Sequence, residues 1–344
     1  MRTPDMYLSG IGSVIPPVFP VDRAVAEGLY PALEAEVHEF LGVALAGERP
    51  APDMALEAAR TALERADTGP DSFSLLLYTG TWHQGPDGWP PQAYLQRHLL
   101  GGRVPAMSVR QGCNGLFDAL ELAACYLRAE PARESALLVA ADNYGTPMID
   151  RWRIAPGVIA GDAAVALTIT KNTGFARLLS VTSTAAPAAE ELHRSGEPMF
   201  PPTITDGRPQ DFTARLDHYR ANPPAEADVL ARIPGLLLEL VETAVAEAGI
   251  TIADLAKVAF ETRSREIIEQ RVMVPLGLDV SKSTWEFGRR IGHCGAADQF
   301  LALEHLLVSG ELVSGDHVLL LGQAPGVVLS AGVVQVLEIP EWTV

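Results

Sequence analysis

Two stretches of the chain share one plan: SALLVAADNY followed by GDAAVALTIT, and DHVLLLGQAPGVVLSAGVVQV, are each an apolar strand, a turn and a second apolar strand. The order of elements leading into each pair also recurs. The first half reads as a strand Met6–Ile15, helices Tyr30–Ala44 and Met54–Ala66, a strand Phe73–Thr79, a helix Ala93–Leu100, and a strand Val104–Val109 with a helix after it. The second reads as a strand near Leu178–Ser183, a helix Asp228–Ala248, a strand Val258–Thr262, a helix from Arg265 to about Val274, and a helix Ala296–Val308. This repetition over 344 residues predicts a layered α/β fold of two duplicated halves, with the active site where they meet. Residues 186–226, rich in Pro, Glu, Arg and Asp, read as a long connection or cap, which at that length is more often functional than idle.

The densest chemical signal lies in VPAMSVRQGCNGLFDALELAACYLR, residues 104–128. An apolar strand turns at Arg110-Gln111-Gly112, presents Cys113, and passes through Asn114-Gly115 into a helix that is apolar almost all round and therefore predicted to be buried. A thiol at that junction faces unpaired N–H groups and the positive end of the helix dipole, which favour a thiolate. A free cysteine is ordinarily a small buried hydrophobe. Glycines on both sides argue otherwise here, because they hold backbone open for close approach.

Composition removes several classes of function. A net charge of −17 leaves no basic face for nucleic acid. No apolar run reaches the roughly 18 residues of a membrane span, and MRTPDMYLSG lacks the order of a signal peptide, so the chain is read as cytoplasmic, with no membrane association. Cys113, Cys125 and Cys294 are odd in number and lack CxxC spacing, which argues against disulfides and structural zinc. Cys125, mid-helix, reads as a packing residue. The only lysines are Lys171, Lys257 and Lys282, whereas Arg263, Arg265, Arg271, Arg289 and Arg290 cluster. Such arginines suit a phosphate of CoA or phosphopantetheine, or a substrate carboxylate, although a compositional bias toward arginine explains them as well. In the Gly/Pro/Trp loop Thr81–Gln92, Trp82, His83 and Trp89 either line a pocket or pack the loop.

The motifs QGCNGLFDALELA, GDAAVAL, VAFETRSREII, IGHCGAADQ and GDHVLLLGQAPGVVLSAG together resemble the thiolase superfamily, specifically its ketoacyl-acyl-carrier-protein synthase III branch, over nearly the whole chain. The resemblance implies a five-layered αβαβα fold, a homodimer and an acyl-thioester intermediate on Cys113. It places the nucleophile in residues 1–175, and the histidine, its acid and the glycine loop in residues 176–344. It also implies an oxyanion hole made by the backbone N–H groups of Cys113 and Gly326.

Two departures from the synthases redirect the chemistry. Where the synthases carry a catalytic His, this chain has Glu261, and where they carry an Asn, it has His293. In a condensing enzyme both residues donate to the enolate formed by decarboxylation, and a carboxylate at 261 repels that charge. A Cys/His pair with a nearby acid suits acyl transfer to oxygen or nitrogen instead: Cys113 takes the acyl group, and His293 takes the proton of an acceptor hydroxyl. Asp298 is expected to orient His293, provided residues 292–295 form a loop and Asp298 begins the next helix; it also suits a plain helix N-terminal acid. Glu261 is the rival orienter, and Cys294 is expected to point away.

The Cys-His-Asp pattern is similar to synthase-III-like acyltransferases of actinobacterial antibiotic pathways. Those enzymes esterify sugar hydroxyls of glycosylated polyketides with malonyl units, or pass aryl acyl groups between carrier proteins or onto sugars. Flanking arginines favour malonyl, with Arg153, Arg263 and Arg289, beside Glu261, as the substrate- or CoA-binding candidates. The donor is an acyl-CoA or acyl-carrier protein, the acceptor a small-molecule hydroxyl. No metal or separate cofactor is implied; CoA or phosphopantetheine enters only as part of the donor. The rivals are a condensing synthase with rearranged helper residues and a non-catalytic partner of a carrier protein. Retention of both Cys113 and His293 speaks against the second.

Overall fold

The computed structural model describes residues 1–223 and 229–343. Nine strands form one mixed sheet: β1 (Arg2–Val14), β2 (Phe73–Thr79), β3 (Ala106–Val109), β4 (Ser135–Asp142), β5 (Ala163–Thr170), β6 (Ala176–Ala185), β7 (Leu255–Phe260), β8 (His317–Ala324) and β9 (Val328–Val336). Their spatial order is β3-β2-β4-β5-β1-β6-β9-β8-β7. Numbered within its own half, the first five strands lie in the order 3-2-4-5-1. The second half repeats 2-4-5-1, and a parallel bridge between Val258 and Ser283 stands where its third strand would lie. In each half the fifth strand runs antiparallel to the fourth, β5 to β4 and β9 to β8. The halves join edge to edge where β1 pairs antiparallel with β6, Leu8 opposite Ala176.

The helices repeat as well. Helix α1 (Ala51–Ala66) links the first and second strands of the first half, α2 (Gly115–Arg128) its third and fourth. A further helix, α3 (Phe212–Ala221), belongs to the connection after β6. Then α4 (Val229–Ala248) takes the place of α1, and α5 (Asp298–Val308) that of α2. Side chains alternate across β2: Leu76 and Tyr78 pack with Met54 and Ala58 of α1, Leu75 and Leu77 with Leu116 and Leu120 of α2. Across β8, Leu319 and Leu321 pack with Leu240 and Val241 of α4, whereas Val318 and Leu320 share the central core with Phe300 and Leu303 of α5. The layers therefore run α1, first half-sheet, α2 with α5, second half-sheet, α4. This is the thiolase-like five-layered arrangement expected from the sequence. Strands β4 and β5 are buried along their whole length because helices cover both faces, which is why they read as unbroken apolar runs.

Local departures have identifiable causes. The segment Tyr30–Ala44 is not one helix. A short helix, Ala32–His38, stops at Glu39 in the left-handed region, and Gly42–Ala44 pairs as a strand with Val18–Pro20. Gly42 is needed there, since a Cβ would come within 2.3 Å of Val18 Cγ1 and 2.8 Å of the Arg290 carbonyl. Helix α2 is not buried all round: Leu122 is 52% exposed and Cys125 lies on the surface, so Cys125 is not the packing residue expected. The core-facing positions Leu116, Phe117, Leu120, Ala123, Ala124 and Leu127 follow helical periodicity, and residues 122 and 125 fall on the opposite stripe. The connection 186–226 contains a 3-10 helix, Pro187–His193, and α3, whose N-cap Asp211 accepts from Ala214 N–H at 2.8 Å. Residues 224–226 of that connection, and Asp228 at the expected start of α4, lie outside the described residues.

Candidate active site

Cys113 sits in a 3-10 turn, Gly112–Asn114, that feeds α2, with its side chain half-buried. Both flanking glycines are obligatory. Gly112 has φ +53°, and a Cβ on Gly115 would lie 1.8 Å from Thr79 Oγ1. The fully buried Asn114 locks the turn onto the other half: its Nδ2 donates to the Val328 carbonyl and to Ser330 Oγ, each at 3.0 Å. The sequence marks Asn114 only as a turn residue, because both its partners lie more than 200 positions away.

His293 is carried by a loop after the short helix Trp285–Ile291, released by Gly292 at φ +77°. The loop runs as a strand against residues 159–161: His293 N–H donates to the Ile159 carbonyl at 2.8 Å, and Gly161 N–H donates to the His293 carbonyl at 2.9 Å. A Cβ on Gly161 would meet the Ile291 carbonyl at 2.0 Å, which accounts for the glycine of GDAAVAL.

The side chains then meet in a line. His293 Nε2 stands 3.0 Å from Cys113 Sγ, and His293 Nδ1 stands 2.6 Å from Asp298 Oδ2. The i, i+5 pair is possible because Gly295–Ala297 is a 3-10 turn and Asp298 opens α5. Asp298 is itself fixed by backbone donors, Thr262 N–H at 2.7 Å and Cys294 N–H at 2.6 Å. Burial pushes the His293 pKa down, but the charges of Cys113 and Asp298 and their hydrogen bonds outweigh it and hold the pKa well above the ordinary value. Asp298, not Glu261, is therefore the acid bonded to the histidine. Glu261 is buried with Arg263 on Oε1, the Nε contact at 2.5 Å, and Gln323 N–H on Oε2 at 3.0 Å. Cys294 is buried with Sγ directed at the Ile291 and Gly292 carbonyls, away from the site, and burial pushes its thiol pKa up.

The remaining expected residues divide. Gly326 has φ +89° in a loop that borders Gly112, but its N–H donates to Nδ1 of His193 at 3.2 Å. His193 comes from the long connection and was missed; the length of that connection was its only signal. Arg153 is 47% exposed and paired with Asp150 at 2.9 Å. Arg289 donates from Nε to the Glu39 carbonyl at 3.0 Å and lies over Trp285, tying two elements together. Trp82 packs with Tyr144, Ile149 and Ile154, and Trp89 lies against Gly85, so these tryptophans pack the loop.

Asp142 emerges behind the site. Its carboxylate accepts from the N–H groups of Thr81 at 2.8 Å and Trp82 at 2.9 Å and from Gln84 Nε2 at 3.2 Å. Thr81 Oγ1 is 2.5 Å from the buried Tyr144 Oη. Burial raises the Asp142 pKa from 3.8 to about 6, against the opposing pull of the Trp82 and Thr81 donors and the His293 charge. For an acid raised in the folded state, the stabilising contribution is full below its unfolded value and is lost as pH rises to about 6. Asp142→Asn keeps an acceptor for Thr81 and Trp82 without the desolvated charge. Thermal melts across pH are expected to show the variant gaining about 1–3 kcal/mol relative to wild type above pH 6 and nothing near pH 4.

Five layers, a cysteine on the turn into a helix between the two half-sheets and a histidine on the opposing half define the class. The chain belongs to the 3-oxoacyl-[acyl-carrier-protein] synthase III family, an enzyme family of transferases: residues 107–187 match its synthase III description and residues 245–336 its C-terminal description. The chain is 52% identical to ChlB3, described as an acyltransferase, covering 98% of this chain and 100% of that one with a TM-score of 0.94. It is 28% identical over 285 residues to the beta-ketoacyl-[acyl-carrier-protein] synthase III of Rhodospirillum centenum, 82% of this chain and 83% of that protein. The 3-oxoacyl-[acyl-carrier-protein] synthase III of Aquifex aeolicus shares the fold, with a TM-score of 0.78 at 18% identity, covering 96% of this chain and 99% of the other. Among the described residues no helix is long and apolar enough to cross a membrane.

Proposed function

We propose that this protein is an acyltransferase that takes an acyl group from a CoA or carrier-protein thioester onto Cys113 and passes it to a hydroxyl of a small molecule, a glycosylated polyketide-type acceptor, without decarboxylative condensation. The observation that carries this reading is the line Cys113–His293–Asp298 at 3.0 and 2.6 Å, with Glu261 held by Arg263 and Gln323 instead of presenting a donor. In loading, the Cys113 Sγ–acyl bond forms as the donor's carbon–sulfur bond breaks, and His293 gives its proton to the departing thiolate. Acylation removes the charge on Cys113, and with it one of the interactions that raise the His293 pKa. His293 then serves as base. It takes the acceptor proton as the acceptor oxygen bonds to the acyl carbon and the bond to Sγ breaks, with Asp298 stabilising the imidazolium.

The acyl group is the finer question. Arg263, Arg153 and Arg289 are each engaged by the chain itself, whereas Asp142 and Asp298 are buried acids beside His293. A malonyl carboxylate would enter that acidic region unpaired. These charges favour the second reading, an uncharged aryl-type acyl group moved to a sugar or between carrier proteins. The relationship to ChlB3 supports acyl transfer in general terms. A homodimer is also proposed: strand β3 ends the sheet, paired only with β2 among the described residues, and its Met107 is 46% exposed. Cytoplasmic location and the absence of a separate cofactor remain part of the proposal.

Intact-protein mass spectrometry with malonyl-CoA, acetyl-CoA and an aryl thioester on CoA or a carrier protein tests it. A stable aryl adduct that an added hydroxyl acceptor discharges is expected. A malonyl adduct without loss of CO2 would keep acyl transfer and return malonyl as donor. Decarboxylation of malonyl-CoA to an acetyl adduct would make the protein a condensing enzyme.

A further inference from the structure

The residues that follow the two ends of the Cys113–His293–Asp298 line meet on one strand. Asn114 follows the cysteine in the first half, Gln299 follows the acid in the second, and both are fully buried. Gln299 Nε2 donates to the Leu321 carbonyl of β8 at 3.1 Å, and Asn114 Nδ2 lies 3.4 Å from the next carbonyl, that of Gly322. Only a glycine admits both amides: a Cβ on residue 322 would come within 2.5 Å of Asn114 Oδ1 and 2.9 Å of Gln299 Nε2. Opposite Gly322 on β9 stands Ser330, whose Oγ accepts from Asn114 Nδ2 at 3.0 Å and lies 2.9 Å from Ser183 Oγ of β6. The Val328 carbonyl accepts from the same Nδ2 at 3.0 Å. Among the described residues, the hydrogen bonds of the Asn114 side chain go only to β8 and β9.

Cys113 belongs to the first half and His293 to the second, so their 3.0 Å separation depends on how the turn Gly112–Asn114 seats on the opposite half. We propose that Asn114 is a positioning residue: by seating on Gly322, Val328 and Ser330 beside Gln299, it registers Cys113 on the strand that also holds the start of α5, and so keeps Sγ within hydrogen-bonding reach of His293. The inference rests on reading Cys113 and His293 as the reacting pair. Loosening this seat lets Cys113 draw away from His293, whereas the bond from His293 to Asp298, made wholly within the second half, is kept.

The test measures acylation of Cys113 by benzoyl N-acetylcysteamine thioester, followed by mass spectrometry, beside the titration of His293. The titration is read by NMR of isotopically labelled histidine and assigned by the signal missing in His293→Gln. Cys113, Asp298 and Asp142 act on His293, and the charge and hydrogen bond of Cys113 raise its pKa, so Cys113→Ala marks the titration with that contact removed. In Asn114→Ala, acylation is expected to fall about 10²-fold, the cost of a misplaced reacting atom. The His293 titration is expected to move to lower pH, toward that of Cys113→Ala. Ser330→Ala removes one acceptor from the seat and leaves the turn itself unaltered; it is expected to slow acylation about three- to tenfold and to move the titration in the same direction by less. Ser183→Ala, which loses a contact with Ser330 but none with Asn114, is expected to leave both measurements at wild type. A wild-type titration with acylation unchanged within about twofold in the Asn114 and Ser330 variants, whatever their melting temperatures, overturns the proposal and leaves Asn114 a purely structural amide. If Asn114→Ala does not fold, Ser330→Ala decides alone. A wild-type protein that takes no acyl group from any thioester overturns the nucleophile reading instead, and the titrations then decide the positioning.

Discussion

Cys113→Ala is expected to abolish the acyl adduct with every donor while leaving the fold intact. Among the cysteines of the described residues, Cys113 is the one whose sulfur meets a histidine: it lies 3.0 Å from His293 Nε2, whereas Cys294 is buried and turned toward the Ile291 and Gly292 carbonyls. Cys125 is exposed on the outer stripe of α2, far along the helix from the turn at Gly112–Asn114. Because Cys113 is half-buried and Asn114 makes the structural hydrogen bonds of the turn, truncation at 113 is expected to change stability by no more than about 1 kcal/mol. A melting curve superposable on wild type, together with an unmodified mass, is the expected pair. An adduct of undiminished amount in the variant would move the chemistry to another residue.

Asp298→Asn is expected to lower acyl transfer by about 10² to 10⁴-fold. The carboxylate accepts three N–H groups, His293 Nδ1 and Thr262 N on Oδ2 and Cys294 N on Oδ1. A carboxamide has one acceptor, so either orientation sets an NH2 against at least one of these donors. With the NH2 toward His293, Nδ1 must accept and Nε2 keeps its proton, which removes the base. With the NH2 toward Cys294, the tautomer survives but the negative charge that holds the His293 pKa up is lost. Burial would then dominate, and the acidic limb of the pH–rate profile of transfer is expected to move to lower pH. That displacement separates a positioning role from simple destabilisation, which the unmatched buried donor sets at about 1–3 kcal/mol. A variant with lower activity but an unmoved profile would make Asp298 structural.

Strand Phe73–Thr79 has the limits that the sequence predicts, because it is an apolar run bounded by turn residues and covered on both faces. Segment Tyr30–Ala44 reads as one helix, but the close approach of Gly42 to Val18 that makes Gly42–Ala44 a strand is a contact between distant positions. Cys125 was misplaced for a related reason. An almost wholly apolar helix gives no sign of which stripe meets the core.

The repeated order of elements, the glycine-flanked Cys113, and the exchange of a synthase-like His for Glu261 with a new histidine at 293 are local features of composition and spacing. They determined the fold class, and by themselves they single out Cys113 as the expected nucleophile and set a charge argument against condensation. Which acid serves His293 was decided only in three dimensions. Glu261 and Asp298 are both acids flanking the histidine in the chain, but Arg263 and Gln323 hold the first, and a 3-10 turn brings the second to Nδ1. The contact of His193 with Gly326 likewise joins residues 133 positions apart. Hydrogen-bond partnership depends on ångström-scale separation, and separation along the chain carries no record of it once the two halves close on each other.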